Sequence, residues 1–371
     1  NWSYWIYNTG TSGNDPNGDP GGVYPRGTAA LVFTDGLVWG GYVRDGKEEN
    51  PRVGGVTYTE GIQQGWITTP GDGTNPPEAV SPNDDRAGMW RMRVDYYQLT
   101  LDDVGQDAAE LNLVDTENAT DEMKQAVLDD YKYAFENWPT DLGAPFYDVN
   151  GNGVYDKPTE YWVEETDPDD ANNTIWVWKG IQVDLDGNGE ITTGEREEPG
   201  IAGADQVLYS VNNDLDEGKS IGLYGAQPMG IELQSTTWAY NQPSATLGQL
   251  IFRKYLFINK SGVDIDSMFV CQWSDADIGN YTDDYAGCDT VRSVGYGYSG
   301  FVTDPDYTSF NLPPAAVGYD FFQGPMVPGA PEDTAIFGLK KRPGFKNLPM
   351  TSYFFFAAGS AIDDPDLGEY D

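Results

Sequence analysis

The chain has 371 residues, enough to bury one large core or two ordinary ones. Its 60 acidic against 21 basic residues leave a formal net charge of −39, which repels nucleic acid and anionic membrane surfaces and favours divalent cations, while 13% aromatic content excludes a disordered acidic chain. There is no histidine, so Ser-His-Asp, Cys-His and His-zinc chemistry are all excluded.

Asn1 to Thr28 is rich in Gly, Asn, Asp and Pro without a period, and predicts an extended N-terminal arm that lies on something else. No secretory apolar segment opens it, which fits a mature end left by processing. From Ala29 to the end the pattern predicts a single large β-rich domain. Runs at 29–34, 37–43 and 55–58 suit strands, and Trp90, Met92, Val94 and Tyr96 alternate with Arg91, Arg93 and Asp95 as a half-buried strand does. One substantial helix interrupts. Thr120 can cap it, Asp121 and Glu122 complement its dipole, Met123, Val127, Tyr131, Ala134/Phe135 and Trp138 make its apolar stripe, and Pro139 ends it.

An insert spans about 141–205, with two Asp/Asn/Gly loops around a short strand at 175–178. The first loop starts at Asp148. It places Asp148, Asn150, Asn152, Gly153, the Val154 carbonyl and Asp156 at positions 1, 3, 5, 6, 7 and 9 of an EF-hand calcium pattern, but Thr159 stands at position 12 with Glu160 one place later. A plain Asx-turn is the alternative there. The second loop, Asp184 to Glu195, fits at every diagnostic place: Asp184, Asp186 and Asn188, then Gly189, the Glu190 carbonyl, Thr192 and a bidentate Glu195. Hard oxygen ligands at alternating spacing are what Ca²⁺ needs. The flank 176–183 is β-like and not an entering helix, so this loop reads as a staple and not as a sensor; a metal-free hairpin is its alternative.

From Gln206 strand candidates succeed one another at 206–211, 230–240, 248–259, 267–273, 293–298, 334–339 and 351–357. The fold class expected is mainly β, an antiparallel β-sandwich with one substantial helix and a calcium-loop insert. Between two of these strands, Asp275, Asp277, Asp283, Asp284 and Asp289 crowd five carboxylates into fifteen residues, a repulsive arrangement unless a cation relieves it. A solvated acidic loop or a paired-carboxylate glycosidase site are the other readings. Cys271 and Cys288 are the only cysteines and could form a disulfide worth roughly 3 kcal/mol, or stay as two thiols. No run of about 18 apolar residues exists to span a membrane.

The stretches APFYDVNGNGVYD from Ala144, GADQVLYSVNNDLD from Gly203, GIELQSTTWAYNQP from Gly230, the long run from Phe252 to Thr290 and VGYDFFQGP from Val317 resemble large secreted proteins of Bacteroidota and Ignavibacteria-like bacteria. The calcium loops themselves resemble those of EF-hand and dockerin repeats. The resemblance to the secreted proteins implies type IX secretion, extracellular or cell-surface residence, and that this chain is a mature or partial piece; it brings no activity with it.

The functional expectation is a non-enzymatic, calcium-stabilised structural protein, a surface-layer, adhesin or filament subunit that associates with itself or with other cell-surface components. The Gly/Asn/Pro-rich arm and the aromatic run 353–356 are candidates for contact between subunits. The alternative is a secreted carbohydrate-binding or carbohydrate-cleaving module using the Asp275–Asp289 loop, with polysaccharide as partner.

Overall fold

The computed structural model describes residues 1–47, 51–157, 159–166, 168, 174–182, 197–338 and 340–356, with the backbone alone at 159–164 and 175–182. The protein is mainly β. Among these residues 25 strands form antiparallel sheets, joined by four α-helices: α1 (Gly105–Leu111), α2 (Asp121–Glu136), α3 (Glu217–Tyr224) and α4 (Pro305–Ser309). The strands fall into nine sheets, the two largest of five strands each, where a plain sandwich has two. The chain divides into two compact units: Asn1–Ala87, Asn212–Leu233 and Leu256–Asp371 form the first, Gly88–Val211 and Gln234–Tyr255 the second.

In the first unit the ten-residue strand Thr34–Val43 is the hub. It pairs with Ile265–Asp275, from Thr34 opposite Asp275 to Val43 opposite Ile265, and with Arg52–Gly55. Alternation sends Leu37, Trp39 and Val43 into the core, where the Trp39 ring meets Phe257 edge-on at 5.2 Å. The arm is built into this sheet: Trp5–Ile6 pairs with Ser12–Gly13, Ser12 pairs with Asp35, and the buried Asp35 carboxylate accepts hydrogen bonds from the Ser12 and Tyr4 hydroxyls. Leu223 and Tyr224 of α3 pack with Ala226, Val38 and Val53. A second cluster gathers Ala29, Leu31, Val32, Ile278, Val317 and Tyr307 of α4.

The unit's last strands are short. Met326–Pro328 pairs with Phe345–Asn347, and Thr334–Phe337 with Lys340–Pro343. Residues 351–356, expected as a strand, form none. Three successive Phe cannot all face a core on a backbone of period 2, and Phe354 and Phe355 are more than half exposed.

In the second unit α2 carries the expected apolar face. The Thr120 Oγ1 accepts a hydrogen bond from the Met123 N–H at 3.3 Å, and Val127, Tyr131, Ala134 and Phe135 are buried. The fully buried Tyr131 donates its hydroxyl proton to Asp107 of α1 at 2.9 Å, and the Arg91 guanidinium lies 4.9 Å from the ring centroid. The strand holding Trp90 and Met92 stops at Arg93, short of Tyr96, because the chain turns there with Arg93 closed on Asp95 through two hydrogen bonds of 3.0 and 2.8 Å. Trp90–Arg93 pairs antiparallel with residues 206–209, from Trp90 opposite Tyr209 to Arg93 opposite Gln206.

The insert belongs to this unit. Phe146–Tyr147 pairs with Glu198–Pro199, and Thr159–Thr166 with Thr174–Gln182, a hairpin longer than the short strand expected at 175–178.

Candidate functional site

The Phe146–Tyr147 and Glu198–Pro199 pairing sets the two ends of the insert side by side, and this places Glu197 against the Asp148 loop. Glu197 is fully buried. Its Oε1 accepts the Val149 N–H at 3.1 Å and its Oε2 the Asp156 N–H at 2.8 Å, so one carboxylate clamps both ends of a loop 41 residues or more away in sequence. The loop is wound on its own acceptors. Asp148 accepts the backbone N–H of Asn152 at 3.1 Å and of Gly153 at 2.9 Å; the Asn150 side-chain Oδ1 accepts the Asn152 N–H, and the Asn152 Oδ1 accepts the Val154 N–H. Gly151 and Gly153 take φ of 72° and 76°, the left-handed region that a side chain would resist.

The two Asn side chains bear on what the loop can hold. Both Asn150 and Asn152 turn their amide nitrogens onto Asp156 Oδ2, at 2.8 and 3.0 Å. Partial positive charge from two NH₂ groups therefore sits on the carboxylate that the calcium pattern assigns to position 9. Presenting oxygen in their place requires each amide to turn its Oδ1 away from the backbone N–H that it now accepts; so turned, the loop offers two carboxylates, two amide oxygens and the Val154 carbonyl, the hard-oxygen chemistry that Ca²⁺ takes. Thr159 and Glu160 are described by backbone alone, and Glu197 is the buried carboxylate that sequence reasoning missed.

The loop with the fuller pattern, Asp184, Asp186, Asn188, Glu190, Thr192 and Glu195, lies outside the described residues.

The third acidic group is only partly assembled. Asp275 Oδ2 accepts the Tyr58 hydroxyl at 3.0 Å, and Asp284 Oδ2 accepts the Ile278 N–H at 2.8 Å. Asp277 is pushed up to about 6 by burial and by the nearby Asp275 and Asp284; Asp284 is pushed to about 6 by burial, with Asp283, Asp304 and Asp275 repelling its charge. One buried oxygen each of Asp283 and Asp284 has no hydrogen-bond donor among the described residues. Asp289 is not a member: it accepts the Val291 and Arg292 N–H groups and the Arg292 guanidinium at 2.6 Å, which holds it below the usual carboxylate range.

Asp304 takes its place. It is fully buried, capping α4 through the Asp306 and Tyr307 N–H groups and accepting the Asn280 N–H. Among the described residues no three Asp, Glu or Cys side chains converge closely enough to hold a metal by themselves.

Cys271 and Cys288 are both free thiols, on different sheets, so the disulfide reading is not what the fold forms. Beside the acidic group, Tyr285 and Tyr298 sit opposite each other on neighbouring strands with rings stacked at 6.0 Å, exposed by 61% and 43%. Elsewhere in the first unit the arm, residues 58–60 and α3 enclose an open cleft of about 1100 Å³. No helix among the described residues is long and apolar enough to cross a membrane. Comparison of the chain with protein-family models, with characterised proteins and with solved structures finds no match.

Proposed function

We propose that this is a calcium-stabilised extracellular structural protein, a surface-layer, adhesin or filament subunit, and not an enzyme. The observation that carries the reading is the Asp148 loop: five oxygen-bearing positions at calcium spacing, wound on glycines, clamped at both ends by a buried carboxylate, with both Asn side chains gathered on the Asp156 carboxylate. Asp148, Asn150, Asn152, Asp156 and the Val154 carbonyl would hold the ion. The crowded carboxylates at Asp275, Asp277 and Asp284 add a second place where a cation would relieve repulsion. Bound calcium would tie the insert's loops down and offset part of a −39 self-repulsion, which suits a protein of the cell exterior. Type IX export follows the resemblance in motif order.

Calorimetric titration of chelator-treated protein tests this. Calcium should bind, and the joint substitution Asp148→Asn and Asp156→Asn should remove at least one site while leaving the fold intact. Absence of binding heat, together with no metal retained on dialysis, would refute it.

A carbohydrate-binding role is favoured by one separate observation, the stacked exposed pair Tyr285 and Tyr298 next to Asp284, a platform of the kind sugar rings lie on. Glycan binding lost in Tyr285→Ala with Tyr298→Ala, and unchanged in Asp148→Asn, would establish it in place of a purely structural role.

A further inference from the structure

The strongest unexplained feature is a cluster of exposed cations in a very acidic chain, one of which, Arg342, lies 5.9 Å from the Phe337 ring centroid. Lys340, Lys341, Arg342 and Lys346 place four of the 21 basic residues within seven positions, on the hairpin Thr334–Phe337/Lys340–Pro343 and the adjoining strand Phe345–Asn347. All four are exposed. Ten other basic side chains (from Arg44 to Arg292) have a carboxylate within 4.0 Å; none of these four has one among the described residues. The described residues of a very acidic chain thus leave all four without an ion-pair partner. Phe337 and Phe345, exposed by 42% and 37%, flank the cations and offer apolar area beside them.

The complementary surface is on the same chain. The cleft of about 1100 Å³ is lined by Asp15, Glu60 and Asp216 against one cation, Lys219, which is already paired with Glu60 at 2.5 Å. Asp15 and Asp216 are thus surplus negative charge in a concave site, and the hairpin contributes nothing to its walls. A second copy is the occupant because both charge patches lie on this chain: at physiological salt the repulsion between two −39 bodies is screened beyond about 8 Å, so local complementarity between the hairpin cations and the Asp15 and Asp216 carboxylates acts at close quarters.

We propose that the hairpin Thr334–Lys346 of one copy docks into the cleft bearing Asp15 and Asp216 of the next, a head-to-tail contact between two different patches. Such a contact leaves one free hairpin and one free cleft at the ends of every assembly, so it extends into an open chain unless the rotation closes a ring. It rests on the reading of the protein as a structural subunit but does not use the calcium loops. Salt screens it, since its charged groups lie at the surface.

Sedimentation velocity of the whole chain over a range of concentrations tests it, in calcium and in chelator, at physiological and at about 1 M salt. Concentration-dependent species should form and disappear in high salt. The triple reversal Lys340→Glu, Lys341→Glu and Arg342→Glu should weaken association at least about tenfold. The pair Asp15→Asn and Asp216→Asn, which keeps the turn and cap acceptors, should do the same. The reversed chain still offers an intact cleft, so added to wild type it should shorten the assemblies.

A chain that stays monomeric throughout overturns the contact. So does association indifferent to either set of variants, or a hairpin that binds a polyanion such as heparin without self-association. A chain that melts higher with calcium yet remains monomeric refutes this contact alone; one that assembles but ignores calcium refutes the calcium reading alone.

Discussion

Glu197 Oε2 accepts the Asp156 backbone N–H at 2.8 Å, so the last part of the Asp148 loop is tied to the strand that closes the insert. With the second oxygen on Val149, the carboxylate satisfies two donors at once. Glu197→Ala should cost about 1–3 kcal/mol, the penalty for leaving buried groups without partners, and Glu197→Gln less, since one acceptor survives. Denaturant unfolding of the second unit's tryptophans would show it. Equal stability in both variants would mean that the clamp holds nothing.

Asp214 supplies a pH signature independent of any metal. It is fully buried, and although it accepts N–H groups from Met229, Gly230 and Ile231 at 2.7–3.0 Å, burial dominates and pushes it up to about 6. The unfolded value is about 3.9, so the folded chain binds more protons between roughly pH 4 and 6, and this contribution to stability falls as pH rises through that window. Asp277 and Asp284 move in the same direction. Asp214→Asn removes the titration and turns an amide nitrogen toward a backbone donor. The wild type should therefore be the more stable, by a margin that shrinks between pH 4 and 7 by as much as about 3 kcal/mol. A margin that widens with pH would contradict the assignment.

Tyr131 ties α2 to α1 and to the sheet, donating to Asp107 at 2.9 Å and accepting from the Gln206 side chain at 3.3 Å. Tyr131→Phe keeps the buried ring and removes both bonds, which should cost about 1–2 kcal/mol. In an Asp107→Ala background the same change should cost less, because the main acceptor is already gone. Chemical denaturation of the four proteins gives the coupling, and full additivity would show that the bond contributes no stability.

Local signals were legible and distant ones were not. Cap, dipole and 3.6-residue periodicity together specify α2, and its buried face is the expected one. The Asp148 spacing marks a wound loop, but Glu197 is invisible there, because only the pairing of 146–147 with 198–199 brings it near. Asp289 and Asp304 teach the same lesson in reverse. Asp289 is captured by Arg292 three residues on, a partner visible in the sequence, whereas Asp304 joins the acidic group from a separate segment. The two units are each assembled from discontinuous segments, which composition along the chain does not reveal.

The melting temperature of the whole chain in millimolar calcium against the same protein in chelator tests the central claim most directly. A single site filled to about ten times its Kd adds about 1.4 kcal/mol, which for a chain of 371 residues should raise the transition by about 2 °C, more if several loops fill, and the rise should shrink in Asp148→Asn with Asp156→Asn. An identical transition with and without calcium, at every calcium concentration up to several millimolar, would contradict the account.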